Sequence, residues 1–493
     1  MWPQRRADRR RRTGRGLRAA IASVLLPGAG QLLLGRRGKG ALLVCVAIAI
    51  GVSAGWLWTR DTTTLASWAV HPGVLLWLLG VNLAVALFRL YATFDAYAEG
   101  VRPPARPALP RRAVASFGVT GALLLIAAVV IVPHAAVGYY AATTHDLLQT
   151  VFVVDDDPPP TTTPPPDVAQ PEEPTEALED DPPVEQPVEV NPWTQAGRVT
   201  IALLGSDAGV GRAGDRIDGL LVVTVDTETG DAALFSVDRY LADFPLPDRI
   251  AEPYAEHCPY GEGWRYLNAL YRCGHERAPE EFAAAYPNAQ DPAAAAVVDV
   301  LSGLLGIGIP HYAMVDMAGF VAVVDALGGV ELDLTSPLRV RISPSDGGAW
   351  HTIDLPAGPQ VVDGEEALAY ARVRERDGGD ADRMRRQRCL VSSVIRTADV
   401  GSVLRGFPTV SAAVEEHVET SIPLRLLPDL IELVPSMDAD RVVAVGFGPP
   451  DYRGWDHRPD VARIQARVRQ VLDDPATATE TGTTTEIGAT VCR

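Results

Sequence analysis

From Tyr370 to Gln387 the chain reads Tyr-Ala-Arg-Val-Arg-Glu-Arg-Asp-Gly-Gly-Asp-Ala-Asp-Arg-Met-Arg-Arg-Gln. If residues 372–374 are extended, Arg372 and Arg374 project to the same side, because side chains alternate along a strand. If a helix starts near Asp382, then Arg383, Arg386 and Gln387 share one of its faces at i, i+3 and i+4. The Gly378-Gly379 break lets the two elements fold back on each other, so that several guanidiniums converge on one anion. A diphosphate suits them: the guanidinium fork donates two parallel hydrogen bonds and stays charged at any working pH. The plain alternative is a solvated helix whose arginines pair with Asp377, Asp380 and Asp382.

A second group of residues tips the balance toward a site. Asp207 follows an apolar run at Val199–Leu204, Arg216-Ile217-Asp218 precedes the next run, and Ser236-Val237-Asp238-Arg239 ends a third. Ligands of open α/β sheets gather at such strand ends. Two carboxylates on neighbouring strand ends, Asp207 and Asp218, could hold Mg²⁺, which takes one or two carboxylates and completes its shell with phosphate oxygens and water. Arg216 and Arg239 would add positive charge. Asp207 alone reads as a turn residue.

The elements that must position these groups are legible around them. Leu220–Val225 and Ala232–Val237 flank a turn at Thr227–Gly230, which predicts an antiparallel hairpin. Asp291-Pro292 is an N-cap followed by proline at the first helical position, opening a helix with Val297, Val298, Leu301, Leu304 and Leu305 on its apolar face. A second helix is expected from about Asp316 to Leu327, stopping at Gly328-Gly329 before a strand at Val330–Leu334. Asp363 and Glu366 form a capping-box pattern for a helix through Ala369. Together these predict an α/β fold with a mixed, largely antiparallel central sheet flanked by helices.

Ahead of this domain lies a different kind of chain. Residues 1–18 hold eight arginines and one aspartate, and Lys39 is the single lysine of the 493 residues. Three apolar runs, Ala41–Trp58, Val74–Leu90 and Phe117–Tyr139, approach the roughly 20 residues a bilayer span needs. A fourth, Leu17–Leu34, is broken by Pro27, Gly28, Gly30 and Gln31 and is basic at both ends, so it is expected to turn back as a re-entrant or interfacial hairpin. The positive-inside rule then keeps the N-terminus, Arg36–Lys39 and Arg102–Arg112 cytoplasmic and places everything after Tyr140 outside. The formal charge of -18 argues against a nucleic-acid partner, whose affinity comes mostly from phosphate neutralisation.

The predicted organisation is a membrane region at 1–140, a disordered acidic Pro/Thr-rich linker at 141–195, the exported domain at 196–473 with a helical C-terminal part, and a loose tail at 474–493. The linker cannot bury enough apolar surface to fold. Cys45 falls in a span, leaving Cys258, Cys273, Cys389 and Cys492 outside. An even number in an oxidising compartment predicts two disulfides; proximity in the chain favours Cys258–Cys273 and Cys389–Cys492.

Taken in order, these segments resemble the LytR–CpsA–Psr family of cell-wall glycopolymer transferases over about residues 198–400. The resemblance is carried by Leu203-Leu204-Gly205-Ser206-Asp207, Arg216-Ile217-Asp218, Phe235-Ser236-Val237-Asp238-Arg239 and Tyr266-Leu267-Asn268-Ala269. It continues through Gly319-Phe320, Val324–Val330, Leu355-Pro356-Ala357-Gly358, Asp363–Arg374 and Arg383–Gln387. It implies a phosphotransferase that moves a glycopolymer, with one phosphate, from a polyprenyl-diphosphate carrier to a peptidoglycan hydroxyl outside the cytoplasmic membrane.

By position, the resemblance gives Arg216, Arg239, Arg372, Arg374, Arg383, Arg386 and Gln387 to the diphosphate. Asp207 and Asp218 go to Mg²⁺, one of them assisting deprotonation of the acceptor. It also suggests a lipid groove near the helix at 293–305 and Phe320. The family reads Pro-Arg-Asp or Pro-Arg-Asn where this chain has Asp238-Arg239-Tyr240, so an added acid is expected to weaken the anion field or alter metal binding. Two other functions fit the same residues: a non-catalytic polyprenyl-phosphate-binding or regulatory protein, and a polyprenyl-diphosphate hydrolase.

Overall fold

The computed structural model describes residues 2–102, 117–153, 197–208, 216–259, 264–342, 348–373, 379–397, 415–437, 441–449, 452, 457–473 and 485–487. The chain divides into two compact units, Met1–Asp146 and Leu147–Arg493.

In the first unit, α1 (Trp2–Leu25) and α2 (Ala29–Leu33) form the expected hairpin. The reversal requires Gly28, whose φ of 100° is reached cheaply only without a Cβ. There follow α3 (Arg37–Trp58), α4 (Thr62–Ala69), α5 (Pro72–Val101) and α6 (Phe117–Val151). Three of these, over Arg37–Trp58, Gly73–Val101 and Val119–Val151, are long and apolar enough to cross a membrane. The linker expected from residue 141 does not begin there. Helix α6 continues to Val151, because Ala141, Leu147, Leu148 and Val151 give this stretch an apolar face, and all four are buried. Val153 then forms a parallel bridge with Pro423. The Asp155–Pro192 segment lies outside the described residues.

In the second unit, β1 (Arg198–Ser206), β2 (Ile217–Asp226) and β3 (Ala232–Val237) form an antiparallel meander. The others are β4 (His311–Val315), β9 (Val418–Thr420), β10 (Val443–Phe447) and β11 (Thr485–Ile487), giving one sheet of order β11-β10-β3-β2-β1-β4-β9. Only β10–β3 and β1–β4 run parallel, so the sheet is mixed and largely antiparallel, as the sequence predicts.

Strand alternation sorts the core onto two faces. Leu204, Leu220, Val222, Phe235, Val445 and Phe447 pack with α7 (Asp248–His257), α8 (Leu270–Glu276), α9 (Pro279–Ala285), α10 (Pro292–Leu305) and the helix Val461–Asp473. Leu221, Leu234 and Ala444, one residue out of phase, pack instead with α11 (Met317–Ala326), α12 (Gly364–Arg372) and α13 (Gly379–Thr397). Two small hairpin sheets lie on that second side, β5 (Val330–Leu334) with β8 (Gly358–Val362) and β6 (Leu338–Ile342) with β7 (His351–Leu355).

This alternation corrects the lipid groove suggested above. Helix α10 belongs to one face and Phe320 to the other, so no single groove is lined by both. Val297, Leu301, Leu304 and Leu305 are at most 1% exposed; each such side chain stabilises the fold by about 1.5–3 kcal/mol. Asp291 caps α10 by accepting from the backbone N–H of Ala293 and Ala294, an arrangement typically worth about 1 kcal/mol.

Cys258 and Cys273 form a disulfide across 15 residues, closing the loop that contains Tyr266–Ala269. Cys389, fully buried, is also disulfide-bonded; Cys492, its expected partner, lies outside the described residues. A 15-residue closure stabilises by about 3 kcal/mol through the unfolded state. The Cys258→Ser/Cys273→Ser double variant should therefore lose about that much in a denaturant titration. An unchanged midpoint would show that the loop's closure contributes nothing.

Candidate active site

The site lies at one end of the central sheet, where β1 and β3 finish, β2 begins and α13 starts. Its first device is a bulge. Gly205 pairs with Gly219 but Ser206 pairs with Ile217, so Asp218 is the extra residue of β2. Such an insertion bends a strand and re-aims a side chain. Ile217 stays fully buried while the Asp218 carboxylate, 26% exposed, reaches the arginines beside it. Asp207 closes the neighbouring turn: its backbone N–H donates to the Arg216 carbonyl at 2.9 Å, and its Oδ1 accepts from the Arg216 N–H at 2.9 Å.

The second device is the turn after β3. Asp238 is completely buried, and its Oδ1 accepts from the Tyr240 N–H at 3.0 Å. Its own N–H donates to the Phe447 carbonyl and its carbonyl accepts from Leu241. The Asp238 side chain thus shapes the turn that presents Arg239. The Tyr266–Ala269 segment closes over this turn, with the Leu267 N–H donating to the Leu241 carbonyl and the Asn268 N–H to that of Arg239.

Arg239, only 2% exposed, is the centre of the cluster. Its Nη1 donates to Asp218 Oδ2, its Nη2 donates to the Tyr240 hydroxyl at 2.7 Å, and Nη2 also lies 3.3 Å from Asp380 Oδ1. Its Nε is buried without a hydrogen-bond partner. Arg383, 4% exposed, donates through Nε and Nη2 to the two oxygens of Asp380, each at 3.0 Å, and through Nη1 to the Asp218 carbonyl at 2.9 Å. Asn268 Nδ2 donates to Asp218 Oδ1 at 3.3 Å. Two buried guanidiniums and two half-buried carboxylates therefore alternate in one quartet.

Burial pushes the Asp218 carboxyl upward, but Arg239 and then Arg383 outweigh it and hold the group below the ordinary carboxylate range. Burial disfavours the charge on Arg239, and Asp218 and Asp380 more than restore it, so this guanidinium is protonated more firmly than usual.

The remaining candidates are placed as follows. Arg386 shares the buried side of α13 with Arg383, but its Nη1 donates to the Val373 carbonyl at 3.0 Å and its guanidinium lies over the Tyr370 ring. Arg386 thus ties the end of α12 to α13. Arg372 is not extended: it is the last residue of α12, which outruns its expected end at Ala369 because Ala371 continues the buried side. Gln387 and Arg216 are half-buried. Arg374 lies outside the described residues. Helix α13 begins at Gly379, three residues before the expected start, and Gly379 has the φ of 60° that admits the reversal.

Three contributors were not singled out from sequence as site residues. Asp380 reads as a solvated counterion, although it sits three residues before Arg383 in the first helical turn, where an acid also suits the helix N-terminus. Asn268 lies in a quoted motif without an assigned role. Arg388, 4% exposed, donates to Ser236 Oγ at 2.6 Å. Only the meeting of α13 with β3 gives it that partner.

The lowered Asp218 pKa has a definite consequence for stability. A carboxylate depressed on folding contributes stability that is complete above its unfolded value, close to 3.8, and lost as pH falls through the folded value. The wild type should therefore be more stable than Asp218→Asn at neutral pH. That advantage should shrink only below the ordinary carboxylate pKa. An equal difference at acid and neutral pH, measured by denaturant titration, would contradict the ion-pair assignment.

The model of the LytR_cpsA_psr family matches residues 169–447, an interval containing every candidate discussed above. The cell wall biosynthesis protein LcpA of Corynebacterium glutamicum is 27% identical over 217 residues, covering 42% of this chain and 38% of that protein. A polyisoprenyl-teichoic acid–peptidoglycan teichoic acid transferase, TagU of Halalkalibacterium halodurans, is 35% identical over 128 residues, covering 26% of this chain and 39% of TagU. The matches thus span well under two thirds of these relatives. The crystal structure of Bacillus subtilis TagV aligns over 56% of this chain and 97% of its own, with 23% identity and a TM-score of 0.40. With the family model covering more than half of its length, the chain belongs to the LytR–CpsA–Psr family.

Proposed function

We propose that this protein transfers a glycopolymer from a polyprenyl-diphosphate carrier to a hydroxyl of peptidoglycan. The observation that carries the reading is Arg239, almost fully buried, locked between Asp218 and Asp380 beside Arg383, with a buried Nε–H lacking a partner. A guanidinium fixed in this way is oriented before substrate arrives, which is what electrostatic stabilisation of a phosphoryl transition state needs. The acceptor oxygen would attack the phosphorus nearest the polymer. The bond from that phosphorus to the bridging oxygen breaks, and polyprenyl monophosphate leaves.

Within that scheme Arg239 and Arg383 bind the diphosphate, Arg216, Arg372, Arg374 and Gln387 are further candidates for it, and Arg386 also steadies the Val373 segment. Asp218, held ionised by two arginines, is a weak base. Deprotonation of the acceptor is therefore assigned to Asp207.

Asp207 and Asp218 also suit Mg²⁺. The quartet's two arginines are matched by two aspartates, so by itself it offers a diphosphate no excess positive charge. Each Asp218 oxygen, although already accepting from Arg239 or Asn268, keeps acceptor capacity for a cation. Among the described residues no group of three or more His, Cys, Asp or Glu could hold a metal, so this reading requires substrate oxygens and water to complete the ion's shell. Bound there, Mg²⁺ would neutralise charge on the diphosphate and on the polyprenyl monophosphate that leaves.

The purified full chain should transfer a polyprenyl-diphosphate-linked saccharide to peptidoglycan fragments. The rate should fall about 10²-fold or more in Arg239→Ala, fall in Asp380→Asn, and be abolished by chelation of divalent cations. Phosphate release without acceptor would replace the reading by a hydrolase. Binding with neither transfer nor release would leave a carrier or regulatory protein.

The proposed localisation is a multi-pass membrane protein with its α/β domain outside the cytoplasm. It is supported by the spans and by the basic residues at 1–18, 36–39 and 102–112. A reporter active only outside the cytoplasm, fused after residue 195, should be active; an inactive fusion overturns this topology.

A further inference from the structure

The membrane unit contains a pocket that the transferase reading does not use. Arg11, Arg15 and Arg18 line a cavity of about 650 Å³ with Gly14, Leu33 and Leu34. At i, i+4 and i+7 the three arginines occupy one face of α1. Among the described residues none of them makes a hydrogen bond or ion pair, and nearby acids are engaged elsewhere: Glu99 with Arg36 and Arg102, Asp95 with Lys39 and Gln31. Beside these cations lies an apolar wall, with Leu33 70% exposed.

The pocket is built rather than incidental, because its walls are held from behind. Ala19, which also lines the pocket, lies against Gly30 of α2, while another face of α1 packs on α5 where Gly16 meets Tyr97, Gly100 and Val101. A Cβ on Gly100 would lie 2.5 Å from Gly16 Cα. Helix α2, which carries Leu33, is fixed by Gln31, itself fully buried. The Gln31 Nε2 donates to the Ala92 carbonyl at 2.9 Å and to Asp95 Oδ2 at 3.0 Å, and its Oε1 accepts from Ser23 Oγ at 3.1 Å. Lys39 Nζ completes the network by donating to Asp95 Oδ1 at 2.6 Å.

We propose that this pocket binds the headgroup of an anionic phospholipid, its phosphate between Arg11, Arg15 and Arg18 and its acyl chain along Leu33 and Leu34. Three adjacent cations with no counterion among the described residues repel one another, and an exposed apolar wall avoids water. A phospholipid answers both, since it brings a negative headgroup joined to hydrocarbon. A soluble anion would meet the arginines but leave Leu33 uncovered. A zwitterionic lipid would cover the leucines while setting its own cation against the arginines. The inference is independent of the transferase chemistry.

Native mass spectrometry of the full chain, exchanged into phosphatidylcholine nanodiscs doped with phosphatidylglycerol, tests the assignment. Preferential retention of phosphatidylglycerol is expected, with a loss of about fivefold for each arginine changed to glutamine. The Arg11→Gln/Arg15→Gln/Arg18→Gln variant should therefore fall to the level of phosphatidylcholine. The corresponding triple lysine variant should keep the preference, which separates lost charge from lost fold, and Arg60→Gln, outside the pocket, should leave it unchanged. Undiminished retention by the triple glutamine variant, loss in the lysine variant, or replacement of phosphatidylglycerol by an equimolar polyprenyl phosphate would each overturn the proposal.

Discussion

Two arginines buried to 2% and 4% exposure are the constraint around which the α/β domain is arranged. A buried guanidinium is tolerable only when paired and hydrogen-bonded, and Arg239 and Arg383 arrive from elements far apart in the chain. Asp218 at the β2 bulge and Asp380 in the first turn of α13 supply the matching charges. Helix α13 is consequently held against β2 and β3 by charge as well as by Cys389 and Leu390 in the apolar layer beneath it. Removing either acid would leave a cation in a low-dielectric setting without compensation.

The same constraint explains why the local geometry around the quartet departs from regular sheet. An unbulged β2 would alternate Asp218 away from Arg239. A strand continuing straight past Val237 would carry Arg239 out of the sheet end instead of into it. Asp238, which the motif comparison marks as an intruding acid, is instead part of that turn, accepting from Tyr240. Tyr240 in turn places its hydroxyl on Arg239 and its ring edge-on to Tyr266. The Asp238-Arg239-Tyr240 turn is thus rigidified by its own side chains.

The membrane unit follows related physics with different residues. Gln31, Asp95 and Lys39 are polar groups among apolar helices, and they satisfy one another, so a hairpin broken by Pro27 and Gly28 remains a defined structure. Small residues at Gly16 and Gly100 let α1 and α5 approach closely, as helices do where packing rather than water exclusion drives association. With one face of α1 consumed in this way, Arg11, Arg15 and Arg18 are left together on the opposite face.

The elements were readable from sequence because they are set by local chemistry. Asp291-Pro292, Asp363 with Glu366, the Thr227–Gly230 turn and the three apolar runs each announce themselves within a few residues. The residue types of the site were readable for the same reason: arginines and aspartates clustered at strand ends narrow the chemistry to an anion. What sequence could not decide was pairing. Asp380 looks like a solvated counterion until α13 is packed against β3, and the bond from Arg386 to the Val373 carbonyl appears only when α12 and α13 meet. The bulge at Asp218 exists only relative to β1. Placing α10 and Phe320 on opposite faces needs the alternation of the whole sheet. Charge, period and caps are properties of neighbouring residues, whereas the partner of a buried charge is chosen by whichever distant element the fold brings to it.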